Sequence, residues 1–260
     1  MKSRRIFGVV LRNLYTFRRN YDRVFDTFYW PAVELIIWGL TSSFIIKIGH
    51  APQFIVMILS GITFWLIVTR SQYETNVSLL EEVWSKNLIN LFISPLKFSE
   101  WIVATLLIGV IKATITVLFA LIFIFFLYNV HLISYGFYLI PFIILLFMTS
   151  WWASFLIAGL IFRFGNKVQS FAWMLIFILS PLSAIYYPLS VLPTWAQKVA
   201  MIVPTSYVFE SLRQLITYGT FNIQNVVISF FLNVFYLILT MLFIKRNYDK
   251  LLERGLLKVF

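Results

Sequence analysis

The hydrophobic and polar positions of this 260-residue chain fall into long apolar runs separated by short basic or polar breaks. A helix needs ~20 apolar residues to cross a hydrocarbon layer. By that measure six spans are expected, at about 28–48, 54–73, 101–129, 138–162, 168–187 and 226–244. The pattern predicts an all-α polytopic membrane protein. No internal repeat relates the first three spans to the last three, and no low-complexity linker divides the chain, so residues 1–260 form a single transmembrane domain.

Three stretches depart from the spanning pattern. Over residues 4–25, Ile6, Val10, Leu14, Phe17, Tyr21 and Phe25 fall on one helical stripe, with Arg5, Arg12, Arg19 and Arg23 on the other side. Residues 1–27 therefore read as an amphipathic interfacial helix, the alternative being a solvated basic arm. "DTFYWP" then leads into the first span, with Pro31 tolerated in an opening turn.

The polar stretch 74–100 has helical spacing of its own in Leu80, Val83, Trp84, Leu88 and Leu91. Pro95 stops that helix, and Ser99 is placed to cap the next. The apolar side of such a helix needs lipid, another part of the chain or a partner protein to cover it. The third stretch, 180–204, holds Pro181, Pro188, Pro193 and Pro204, and these prolines prevent any span-length helix before about residue 226. Only short pieces fit, one opening near Pro193 with Trp195, Val199 and Ile202 on one side, the next with Ser206 as a possible cap. Such pieces dip into the layer and return, or lie on its surface.

Charge sets the topology. Lys2, Arg4, Arg5, Arg12, Arg18, Arg19 and Arg23 precede the first span, and Lys245, Arg246, Lys250, Arg254 and Lys258 follow the last. More than half of the 21 basic residues thus flank the chain's two ends, which places both termini in the cytoplasm. The net charge of +11 is a membrane-topology signal rather than a nucleic-acid footprint. The chain is 61% hydrophobic and 12% charged, with a mean hydropathy of +0.88.

Candidate chemistry is sparse. There is no cysteine, and His50 and His131 are the only histidines, so disulfides, thiolate metal sites and a histidine metal cluster drop out. The HExxH, GxSxG and GxxxxGK[ST] patterns are missing, and "FGNK" at 164–167 is a turn. Glu34 in the first span and Lys112 in the third are costly in a bilayer unless paired or hydrated. They are candidates for one another, either as a polar element of a translocation path or as a packing contact between spans. Arg70 and Glu74 are spaced to pair along one helical face, and Glu210 and Arg213 form a second local pair.

The order of the basic amphipathic N-terminus, "FYWP", the "EE…LINLFISPL" loop and "PLSAIYYPLSVLPTWAQKVAMIVPTSYVFESLR" resembles the permease subunits of ABC transporters of the type-2 exporter class. The last segment, with its P-x-S-x-x-Y-Y-P…LP…P-T-S-Y…E-x-x-R order, is the most specific part. The resemblance implies a six-span permease in the cell membrane, paired with a second copy or a related chain and docked on two separate ATPase subunits. ATP and Mg would bind those subunits, not this chain, which would itself be no enzyme. The loop at 80–96, with Glu81, Glu82, Trp84, Leu88, Leu91 and Pro95, would be the helix that couples to the ATPase. Short re-entrant helices between spans five and six, carrying Pro181, Tyr186, Tyr187, Pro188, Pro193, Pro204, Glu210 and Arg213, would close the outer end of the pathway. The basic opening of many polysaccharide exporters is not obvious in "FRRNYDRVFDTFYWP", and the spans offer few polar groups. A hydrophobic or amphipathic substrate such as a drug, lipid or lipid-linked glycan is therefore expected, moved outward by alternating access. An ion-coupled carrier using Glu34 and Lys112 is the rival reading, and a membrane-embedded enzyme a third.

Overall fold

A computed structural model describes residues 2–49, 53–87, 90 and 93–253, and these residues fold as helices and connecting turns. His50, Leu88 and Leu91 lie outside the described residues. Helix α1 runs Ser3–Arg19 and α2 Tyr21–Gly49. They are parted by Asn20, whose extended backbone breaks the first helix and whose Oδ1 accepts the Arg23 N–H at 3.3 Å, capping the second. Because α2 starts so early, Pro31 sits well inside the helix rather than in its opening turn.

Helix α3, Gln53–Trp84, has 32 residues and spans about 48 Å at ~1.5 Å per residue. That is far longer than a hydrocarbon layer requires. Residues 74–84 are thus the continuation of the second span and not a separate loop helix: nothing between Arg70 and Trp84 breaks the helix, which ends only where Lys86 takes a left-handed φ of 55°. Helix α4 is Phe98–Tyr128. It is capped through Glu100, which reaches back to the Lys97 N–H at 3.1 Å, and not by Ser99, which lies within its first turn.

A 3-10 segment, Leu132–Tyr138, leads into α5, Leu139–Phe164. Helix α6 is only Phe171–Leu179, prolonged by a 3-10 turn over Ser180–Leu182. Twelve residues rise roughly 18–20 Å, so the expected span at 168–187 is met by a helix too short to cross a hydrocarbon layer. Pro181, which has no N–H to continue the ladder, sits where it stops. Short helices α7, Thr194–Ala200, and α8, Pro204–Tyr218, follow, and α9, Ile223–Glu253, returns the chain. Among the described residues five helices are long and apolar enough to cross a membrane: α2, α3, α4, α5 and α9.

Helix α3 is the buried axis, packed by α2, α4, α5, α6 and α8, while α5 and α9 form the most extensive helix pair. Close approach at the axis needs small residues. A Cβ on Gly109 of α4 would meet the Ser71 carbonyl of α3 at 2.8 Å, and one on Gly61 would meet the Ile185 carbonyl at 2.6 Å. Between α5 and α9, buried Asn233 accepts from Thr149 Oγ1 at 2.9 Å and from Trp152 Nε1 at 3.1 Å, and donates to the Leu145 carbonyl at 3.3 Å. Its amide is fully used as interhelical glue.

Candidate functional site

Three constructions stand out: a clasp that fastens α1, a cavity beside α3, and the braced segment after α6. The clasp begins with apolar packing, as Ile6, Val9, Val10 and Leu14 of α1 sit against Ala104, Ile108 and Ile111 of α4. The predicted apolar stripe thus covers protein on its inner edge, while Phe7, Tyr15, Tyr21 and Phe25 remain exposed.

Around that packing the arginines find specific acids. Arg12 bonds Glu82, Arg23 lies 3.1 Å from Glu81, and Arg5 lies 3.5 Å from Glu100 and bonds the Pro95 carbonyl. Fully buried Glu100 also accepts the Lys2 N–H at 2.7 Å, so one carboxylate fixes the beginnings of α1 and α4 together. Asn13 donates to Ser78 at 3.0 Å. Deeper in, Lys112 pairs with Glu74 at 2.6 Å under the face of Phe17 from α1, whose centroid is 4.5 Å away.

These contacts settle the candidate pairs differently from the sequence expectation. Lys112 bonds Glu74, not Glu34, and Arg70 bonds Asp26 of α2 at 2.9 Å rather than Glu74 on its own helix. The helix-to-helix partners win because α2 and α4 pack directly on α3 and bring a full counter-charge to each group. Of the residues predicted for the coupling loop, Glu82 faces Arg12 of α1 and Glu81 faces Arg23 at the start of α2, both near the end of α3, and Pro95 touches Arg5. Trp84 remains half-exposed and donates to Gln169 at 3.2 Å.

The cavity measures about 480 Å³ and lies between α2, α3 and α6. Each helix lines it with a stripe at helical spacing: Asp26, Trp30 and Glu34 from α2; Trp65, Thr69, Arg70 and Tyr73 from α3; Trp173, Ile176 and Phe177 from α6. Tyr186 closes one side, stacked on Trp38 with centroids 4.7 Å apart. Arg70 is held by the Asp26 carboxylate and, at 2.6 Å, by the Asp26 carbonyl, with its guanidinium over Tyr73. The Glu34 carboxylate makes no hydrogen bond or ion pair among the described residues.

The segment after α6 is irregular but tightly braced. Arg213 pairs with Glu210 at 3.0 Å, as its spacing suggested, and donates to the Ala184 carbonyl at 2.7 Å. Burial pushes the Arg213 guanidinium below its ordinary value, and Glu210 draws it back up. Glu210 also accepts the Leu189 N–H at 2.7 Å, and Tyr187 donates to the Pro181 carbonyl at 2.9 Å. These bonds satisfy backbone that no helix serves, around an Ala184 in the left-handed region at φ 58°. Pro188 precedes the 3-10 turn Leu189–Val191, Pro193 precedes α7, and Pro204 opens α8. Ser206 serves not as that helix's cap but as a donor to the Ala200 and Val203 carbonyls. Trp195 and Val199 of α7 and Ile202 just past its end are all exposed.

Residues 9–217, holding every cavity residue and the braced segment, match the ABC-2 type transporter family. The chain belongs to the ABC-2 type transporter family. No curated protein matches it. This ABC-2 chain is accordingly a multi-pass membrane component of a transporter. ABC-2 membrane components normally work with an ABC ATPase. Sequence reasoning had missed Asp26, Glu100 and the three cavity tryptophans. The i, i+4, i+8 recurrence of Asp26, Trp30 and Glu34 was the available signal, and it points to a cavity only once α3 and α6 are packed against it.

Proposed function

We propose that this chain is the permease subunit of an ATP-driven exporter, moving hydrophobic or amphipathic substrates outward from a cell membrane in which both termini face the cytoplasm. The family match across residues 9–217 carries the reading. Two permeases, identical or related, pair along the membrane, each docked on one ATPase subunit that binds ATP and Mg. The poorly buried α2, with Ile36, Ile37, Leu40 and Phe44 exposed, offers an apolar face for that pairing.

Helix α3 links the ATPase-facing end of the chain to the cavity. One unbroken helix holds Glu81 and Glu82 at its end and Trp65, Leu66, Thr69, Arg70, Gln72 and Tyr73 in the cavity wall. A push delivered by the ATPase near residues 80–96 therefore moves the cavity wall with it, since a helix transmits displacement along its axis. The clasp makes α1 and α4 follow. Alternating access results when the α3 axis tilts against α2 and α6, exposing the cavity to one side and then the other. The braced segment after α6, re-entrant from the outer surface, then closes the far end.

Co-expression with the cognate ATPase checks the coupling assignment. Trp84→Ala together with Glu82→Lys is expected to lower ATP turnover of the purified complex several-fold while the permease still folds. Unchanged assembly and turnover would show that the ATPase docks elsewhere. Single cysteines placed between 188 and 220 are expected to react with an impermeant reagent from outside; labelling from the cytoplasm reverses the topology.

A further inference from the structure

The cavity that the proposed export pathway uses holds one acid too many. Of its charged groups, Asp26 and Arg70 neutralise each other through a 2.9 Å pair, and Tyr73 and Tyr186 are neutral phenols. Glu34 is left, sharing the cavity wall with Trp30, Trp65, Trp173 and Phe177 and making no hydrogen bond or ion pair among the described residues; Arg70, already bonded to Asp26, acts on it only through space. A carboxylate in a membrane span without a bonded counter-charge is costly, and Arg70, the cation in this cavity's wall, is already bonded to Asp26. Aromatic faces carry negative quadrupoles, so the walls add attraction for a positive group and none for an anion.

We infer that the cavity selects amphipathic organic cations, with Glu34 as counter-charge and the tryptophan and phenylalanine faces as cation-binding walls. The cavity volume of about 480 Å³ suits a drug-sized molecule. An anion of equal size would meet the Glu34 carboxylate, which bonds no cation of its own, and a neutral compound would leave that carboxylate unpaired. The inference rests on the export reading for its biological sense, but the binding preference stands on the cavity alone.

The test uses two ions of nearly equal shape and opposite charge, tetraphenylphosphonium and tetraphenylborate, and the full chain in uncharged nanodiscs, where no membrane potential biases binding. Saturable binding of tetraphenylphosphonium is expected, uncompeted by tetraphenylborate. Glu34→Gln, a near-isosteric change, is expected to weaken it about tenfold, the scale of one charge-assisted contact. Glu34→Asp is expected to keep part of the affinity, and Trp173→Ala to lose several-fold; because Trp173 also packs against a buried apolar cluster, binding of that variant is read on the fraction still folded. If both ions bind alike and Glu34→Gln changes nothing while Trp173→Ala still weakens binding, the cavity is an apolar site; the charge selection is then wrong and the export reading survives. If neither ion binds saturably, the inference fails outright. The export reading fails separately, by loss of ATP dependence in transport.

Discussion

Lys112 shows how one side chain holds two levels of structure together. It is buried, pairs with Glu74 at 2.6 Å, and lies against Phe17 of the N-terminal helix. Lys112→Met is expected to cost about 3–5 kcal/mol, because it leaves the Glu74 carboxylate buried without a counter-charge. The double change Glu74→Gln with Lys112→Met is expected to recover most of that loss. Thermal unfolding of the detergent-solubilised chain measures both, and a single variant as stable as the parent would show that the pair is not holding α3 to α4. From sequence, Lys112 was recognisable as a costly group needing a partner, but the partner was not. Charge spacing along one helix pointed Glu74 toward Arg70, whereas neighbouring helices supplied both counter-charges. Local periodicity does not carry that information.

At the scale of elements, the long helices were legible because apolar length alone selects them, and the prolines at 181, 188, 193 and 204 were correctly read as breaks. Two boundaries came out differently for physical reasons. Helix α3 runs eleven residues past the expected end of its span because its polar residues there are covered by α1 and α4, so polarity did not mark an end. Helix α6 stops short because the chain at Ser183–Pro188 is held by Arg213, Thr205 and Tyr186 contacts rather than by helical bonds. The turn at Ala184–Ile185 also depends on Gly61, where any side chain meets the Ile185 carbonyl. Gly61→Val is expected to push this segment off α3, destabilising the fold by about 1–3 kcal/mol through overpacking and raising protease cleavage after residue 182. Unaltered proteolysis and stability would mean that the segment is not seated on Gly61.

The whole molecule is organised around a single lever. The α3 axis joins a charged clasp at one end to an aromatic cavity further along, and the broken segment after α6 covers the cavity flank through Tyr186. The family could be recognised in the sequence because motif order survives without any knowledge of packing. The cavity could not, since its walls come from three helices far apart in the chain, from Asp26 to Phe177, and only their assembly brings the stripes together. The measurement that bears most directly on the account is uptake of an amphipathic cationic dye, rhodamine 6G, by proteoliposomes holding this chain with its ATPase, ionophores having removed the membrane potential and the proton gradient. The account predicts dye accumulation that needs ATP on the face bearing both termini and falls about tenfold in Glu34→Gln. Accumulation that persists without ATP, or that, with the ionophores omitted, follows an imposed proton gradient instead of ATP, would contradict it.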